Sequence, residues 1–224
     1  MLLTSSLCRR RLLRATILAF AIPFELVPAA LAQAGDMSFR PMGLEACGDP
    51  CPGLLLAEGL ITDETFKRFQ EIAPQLAPHR PIVVLNSPGG TIPGSILLGL
   101  AFRDHGASVV VPRGGACDSA CAYAFLGGVN RRVLDGGRVG LHRFFAVNVT
   151  SGQRSRGAVA YERTVGPKVI SLLREYVVRM GASPEVVSRA NATGSSSIRY
   201  LSQEELRRFG IVTSEEGAAG APHP

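Results

Sequence analysis

The sequence predicts an α/β domain built from repeating strand and helix units, and three observations carry that prediction. From Gly53 onward, short apolar runs alternate with longer amphipathic ones. The run PIVVLN (81–86) is apolar without alternation, as expected of a strand covered on both faces. Glycines and prolines punctuate the joins, at SPGG (87–90), GG (114–115) and GG (127–128).

Each element has a local reason. GLLLAEGLI (53–61) reads as a strand, and Thr62 is expected to cap a helix that carries Phe66, Phe69, Ile72 and Ala73 on one face until Pro74 stops it. After PIVVLN and the turn SPGGT, Thr91 caps a second helix that ends at Gly106. ASVVVP (107–112) is a third strand, which feeds through Gly114 and Gly115 into a short helix starting near Ser119 and closing at Gly127 and Gly128. RRVLDGGRVGLHRFF (131–145) is extended, with His142 near its end. A long helix over 156–180 presents Val169, Leu173, Tyr176 and Met180 as one stripe. Gly181 closes it, and Ser183 with Pro184 opens the next. Ser202 and Glu205 form a capping box before ELRRFG, and IV (211–212) reads as a strand.

The ends read differently. The first 34 residues place Arg9, Arg10, Arg11 and Arg14 before an apolar run from Ala15, with small residues at Ala30, Ala32 and Ala34. This is the layout of a secretory signal peptide over 1–34, and Glu25 within the run leaves an uncleaved anchor as the alternative. The expectation is export to a periplasm, followed by an N-terminal segment (35–52), a domain (53–213) and a small-residue tail (214–224) expected to be disordered.

Without the leader the charge argument weakens. Of 24 basic residues four lie in it, leaving 20, and of 18 acidic residues only Glu25 does, leaving 17, so the remainder carries about +3. With only two lysines, Lys67 and Lys168, and no basic stripe interleaved with aromatics, a nucleic-acid partner is not expected. Four cysteines follow the leader, as CGDPC (Cys47, Cys51) and CDSAC (Cys117, Cys121). Export favours disulfides over a four-cysteine zinc site, and their three possible connectivities stay open. No metal or cofactor is expected.

Three segments fall at the ends of successive strand–helix units: NSPGG (86–90), CDSAC (117–121) and GLH (140–142). Carboxyl ends of strands in open α/β sheets are where sites gather. Ser119 at a helix start is a candidate nucleophile, which needs a base because a serine hydroxyl is weak at neutral pH, and His142 is the candidate base. The peptide N–H groups of Gly90 and Ala120 are candidates for an oxyanion hole. The plainer readings are a helix cap for Ser119, a packed strand histidine for His142 and a tight turn for SPGG.

At these residues the chain resembles the proteolytic subunit of the Clp protease and the crotonase superfamily, in particular an exported periplasmic branch with a Cys-x-Ser-Ala-Cys motif. Asn86 to Gly90 match that family's Asn-Ser-Pro-Gly-Gly, Ser119 its nucleophile, His142 its base, and YLSQEELRRFGIV (200–212) its closing segment. The resemblance spans about residues 54–212. It implies a crotonase-like α/β domain of repeated ββα units and a serine peptidase acting on a peptide or protein. It also implies a homo-oligomer; in a compartment lacking ATP, an ATPase partner is not expected.

One departure matters. The family's third catalytic residue, an aspartate, aligns with Ala190, and Asn191 follows it. Either Ser119 and His142 act as a dyad, or Asn191 orients His142, or the domain is an inactive binding or scaffold protein. Asp104 and Asp135 are distant substitutes, Asp118 beside the nucleophile is expected to diverge from the site, and Lys168 is a rival base by analogy with Ser-Lys relatives.

Overall fold

The computed structural model describes residues 35–42, 53–146 and 156–213. The 1–34 leader, the Cys47 and Cys51 pair and the 214–224 tail lie outside the described residues.

Five strands form the first sheet in the order β1 (Ser38–Met42), β2 (Leu54–Glu58), β3 (Ile82–Asn86), β4 (Ser108–Val111) and β6 (Asn130–Val133). β2, β3, β4 and β6 run parallel, and β1 lies antiparallel on the edge. Val83 and Leu85 of β3 are fully buried, whereas Ile82, Val84 and Asn86 on the opposite face are half-buried, so the strand expected to be covered on both faces is fully covered on one. β1 belongs to the N-terminal segment that the sequence sets apart from the domain at residue 53. Its pairing with β2 and the fully buried Met37 just before it join it to the domain.

A second sheet has the order β5 (Ala116–Asp118), β7 (Arg138–Leu141), β8 (Arg199–Tyr200). β4 passes into β5 through a turn at Gly114 (φ +70°), and β6 passes into β7 through one at Gly136 (φ +77°). Each turn needs a left-handed residue, which glycine adopts without a Cβ penalty. These two units therefore each give one strand to the first sheet and the next to the second before the helix begins, whereas β2 and β3 lead to α1 and α2 without a second-sheet strand. The two units have the ββα arrangement expected from the resemblance.

The helices are α1 (Thr65–Ile72), α2 (Ile92–Asp104), α3 (Cys121–Leu126), α4 (Arg156–Arg179), α5 (Glu185–Ala192) and α6 (Gln203–Arg208). Thr91 caps α2 by accepting from the Gly94 N–H at 3.1 Å, and the Ser202–Glu205 capping box is present on α6. Thr62 does not cap α1: its own N–H donates to Thr65 Oγ1 at 2.8 Å, and the helix starts at Thr65. β5 and β8 are too short for periodicity to reveal, and 211–212 is irregular rather than a strand.

Every residue of α3 is buried, so this helix is the centre of the core. It fits because α2 and α3 cross at glycines: a methyl on Gly127 would stand 1.9 Å from the Gly99 carbonyl oxygen. Tyr176 of α4 closes the junction by donating its hydroxyl to the Tyr123 carbonyl at 2.9 Å. Arg131, only 4% exposed, ties the helix ends together. Its guanidinium donates to the carbonyls of Leu126, Gly128, Met180, Gly210 and Ile211. Burial, aided by the charge of Arg103, draws its pKa down to about 10, which leaves it charged at neutral pH.

Candidate functional site

The turn after β3 is anchored by its own polar side chains. Asn86 donates from Nδ2 to Glu58 at 3.1 Å and accepts the Ala116 N–H at Oδ1, also at 3.1 Å. Ser87 donates its hydroxyl to the Gly59 carbonyl at 2.7 Å and accepts the Gly89 N–H at 3.1 Å. Backbone bonds from Ser87 N–H to Ala116 and from Asp118 N–H to Ser87 then zip the turn to β5.

Close approach requires both glycines. A methyl on Gly89 (φ +105°) would lie 2.7 Å from the Asp118 carbonyl oxygen, 2.9 Å from Ser119 Cβ and 3.2 Å from the Ala120 nitrogen. Gly90 (φ +152°) is bridged to Ile61, and because that bridge uses the Gly89 carbonyl and the Thr91 N–H, the Gly90 N–H is left out of it. Among the described residues, neither the Gly90 N–H nor the Ala120 N–H has a protein acceptor. Gly89 thus sets the turn that carries one of these donors against the bend that carries the other.

Ser119 is the one non-glycine residue with positive φ among the described residues, at +57°. Such a conformation costs on the order of 1–3 kcal/mol and clusters at functional sites. Two restraints hold it. Its N–H donates to the Gly140 carbonyl of β7 at 2.8 Å, and a disulfide joins Cys117 to Cys121 with Cα atoms 5.1 Å apart. The bridge does not lie along one helix: it runs from β5 to the first residue of α3, with Ser119 at the bend between them. In the disulfide these two sulfurs are not thiolate ligands for a metal, and neither is paired with Cys47 or Cys51.

His142 follows β7. Its Nδ1 lies 2.8 Å from the Arg143 carbonyl oxygen, which can only accept, so Nδ1 carries the proton and Nε2 of the neutral ring is the acceptor. The Arg143 N–H in turn donates to the Thr193 carbonyl at 3.0 Å, which pins this segment to the end of α5.

Ser119, His142 and Asn191 line one small cavity of about 10 Å³, room for a single water, together with Tyr123, Phe144 and Ala190. Ala190 stands in this wall at the position where the resemblance expects the acid. The side chains of Ser119 and Asn191 make no hydrogen bond among the described residues. Lys168 is exposed on α4 and does not line the cavity. Asp135 is on the surface with Arg113, and Asp104 is exposed at the end of α2.

Asp118 lies opposite Gly140 in the β5–β7 register, two residues before His142 along β7. The missing side chain of Gly140 leaves the space it fills: a methyl there would come 2.4 Å from Asp118 Oδ1. That oxygen is buried without a partner, and Oδ2 accepts from the Tyr200 hydroxyl at 3.4 Å. Burial pushes the Asp118 carboxyl above the usual carboxylate range, against the Tyr200 hydrogen bond and the charges of Arg138 and His142, which lower it. Neither the Asp118 position nor the Arg143 carbonyl had a signal in the sequence, because the first depends on the β5–β7 register and the second on the backbone conformation of a segment held to Thr193.

No protein-family model matches the chain, and no curated protein matches it. Solved structures do. The 1510-N membrane-bound stomatin-specific protease, as a serine-to-alanine mutant, is 19% identical over 71% of this chain and 75% of its own, with a TM-score of 0.49. A lysine-to-alanine mutant of that protease in complex with a substrate peptide is 19% identical over 71% of each chain, with a TM-score of 0.50. The latter likeness and the ββα topology together identify the fold as the α/β fold of the Clp protease and crotonase class.

Proposed function

We propose that the chain is a serine hydrolase, and specifically a peptidase that uses Ser119 and His142 as a dyad. The observation that carries this reading is the strained Ser119, which shares a cavity with His142 beside two N–H groups that have no protein acceptor. Ser119 Oγ attacks the substrate carbonyl carbon while His142 Nε2 takes its proton. The Gly90 and Ala120 N–H groups stabilise the oxyanion, where one donor is worth on the order of 10²–10³ in rate. The imidazolium returns the proton to the leaving amine, and a water then hydrolyses the ester by the same route.

The Arg143 carbonyl supports the tautomer that a triad acid would otherwise hold. A peptide is the proposed substrate because the solved neighbour is a protease with a substrate peptide bound in one of its forms. Lys168, exposed and absent from the cavity wall, is the weaker candidate for the base. The leader over 1–34 supports export to a periplasm, and the resemblance supports a homo-oligomer; cell fractionation and light scattering test these two readings.

A second reading, an inactive domain that binds a ligand or partner, is favoured by Ala190 in place of the family's acid. Labelling with a fluorophosphonate probe separates the two. Labelling of the native protein that disappears in both Ser119→Ala and His142→Ala is expected. Folded protein that stays unlabelled under oxidising and reducing conditions alike favours the binding domain.

A further inference from the structure

The Ser119 cavity opens beside a larger groove of about 520 Å³, and Phe144, Ile170 and Asn191 belong to the walls of both. The groove runs between the strand end at 143–144 and the N-terminal half of α4. Phe144, Val159 and Ile170 make its apolar surface, and buried Gly166 lies beside the Phe144 ring, where a methyl would stand in ordinary contact at 3.5 Å.

Its charges are unbalanced. Arg143 and Arg163 both line it, both are exposed, and neither has a carboxylate partner among the described residues. The one carboxylate in the wall, Glu162, accepts the Ala146 N–H at 2.7 Å. Pro167, also in the wall, has no N–H to give the Arg163 carbonyl, which removes one donor from the helix at the groove.

We propose that this groove binds the substrate chain next to the scissile bond and selects a peptide with acidic residues beside an apolar one. The inference rests on the reading of Ser119 as nucleophile, which sets the end of the groove that faces the reacting carbonyl. Phe144 and Ile170 pack the apolar side chain, while the two guanidinium groups take carboxylates, an arrangement suited to the planar fork of arginine.

The test measures binding rather than turnover. Two fluorescein-labelled hexapeptides of one apolar sequence, one with two glutamates and the other with two glutamines in their place, are titrated into the Ser119→Ala protein at low and high salt. The expected result is binding of the glutamate peptide roughly five- to tenfold tighter at low salt, fading as salt screens the charges. Arg143→Glu with Arg163→Glu abolishes the preference, and the milder Arg143→Gln with Arg163→Gln reduces it. Arg113→Glu, at an exposed arginine that pairs with Asp135, retains it. Equal affinity for the two peptides, or a preference that survives the double reversal in folded protein, overturns the proposal. Fluorophosphonate labelling of the native protein is read in parallel. Labelling without peptide preference overturns the groove alone; preference without labelling supports the groove and overturns the hydrolase reading.

Discussion

Cys117 and Cys121 are joined across Ser119, so the disulfide closes on the one described non-glycine residue whose backbone is left-handed. A loop this short restrains the unfolded chain by about 2 kcal/mol in the chain-entropy picture. In the folded protein it holds together the two ends of the bend that carries the serine.

The Cys117→Ala, Cys121→Ala double variant is therefore expected to lose about 2 kcal/mol in urea unfolding. Fluorophosphonate labelling should fall by at least tenfold under conditions where the variant remains folded. Labelling at the native rate would show that Ser119 keeps its geometry without the bridge.

The His142 tautomer is set by the Arg143 carbonyl rather than by Asn191. Asn191→Ala is accordingly expected to change the labelling rate by no more than about threefold, against complete loss in His142→Ala. A drop of orders of magnitude in Asn191→Ala would assign Asn191 the role of orienting the ring.

Gly90 and Gly114 both have positive φ, but their surroundings differ. A methyl on Gly90 meets the Ile61 carbonyl oxygen at 1.9 Å, whereas one on Gly114 meets nothing within 4 Å. Gly114→Ala should cost about 1 kcal/mol, the strain alone. Gly90→Ala should cost at least about 3 kcal/mol and abolish labelling, since the turn must move away from Ile61. Equal melting temperatures for the two variants would refute the close approach at Gly90.

Asp118 offers a test by pH. Burial raises its carboxyl in the folded state above the ordinary 3.8, so the folded protein holds this proton to higher pH than the unfolded chain. The ionised carboxylate thus costs stability, fully so above the raised folded value, and the cost disappears as pH falls below the ordinary one. Asp118→Asn is expected to melt higher than the native protein at pH 7, with the gap closing near pH 3. A lower melting point at pH 7 would mean that the charge is stabilising where it sits.

The sequence by itself determined the α/β class, the order of the long elements and the caps at Thr91 and Ser202, because these follow from periodicity and from side chains acting on neighbouring backbone. It also named Ser119, His142, Gly90 and Ala120 through local motifs and the order of three strand ends, and Asn191 through the resemblance alone. Tertiary structure decided what those residues meet. The Gly89 contact with Ser119 arises where the turn after β3 is bonded to β5, the bond between Cys117 and Cys121 follows from the bend between β5 and α3, and the Arg143 carbonyl meets the His142 ring in a segment held to the end of α5. β5 and β8 belong to the same category: at three and two residues they carry no period, and they exist only because β7 is there to pair with them. Arg131 shows the same division from the other side, since an arginine in the polar strand NRRV reads as a surface residue until five carbonyls, those of Met180, Gly210 and Ile211 from far along the chain, converge on it.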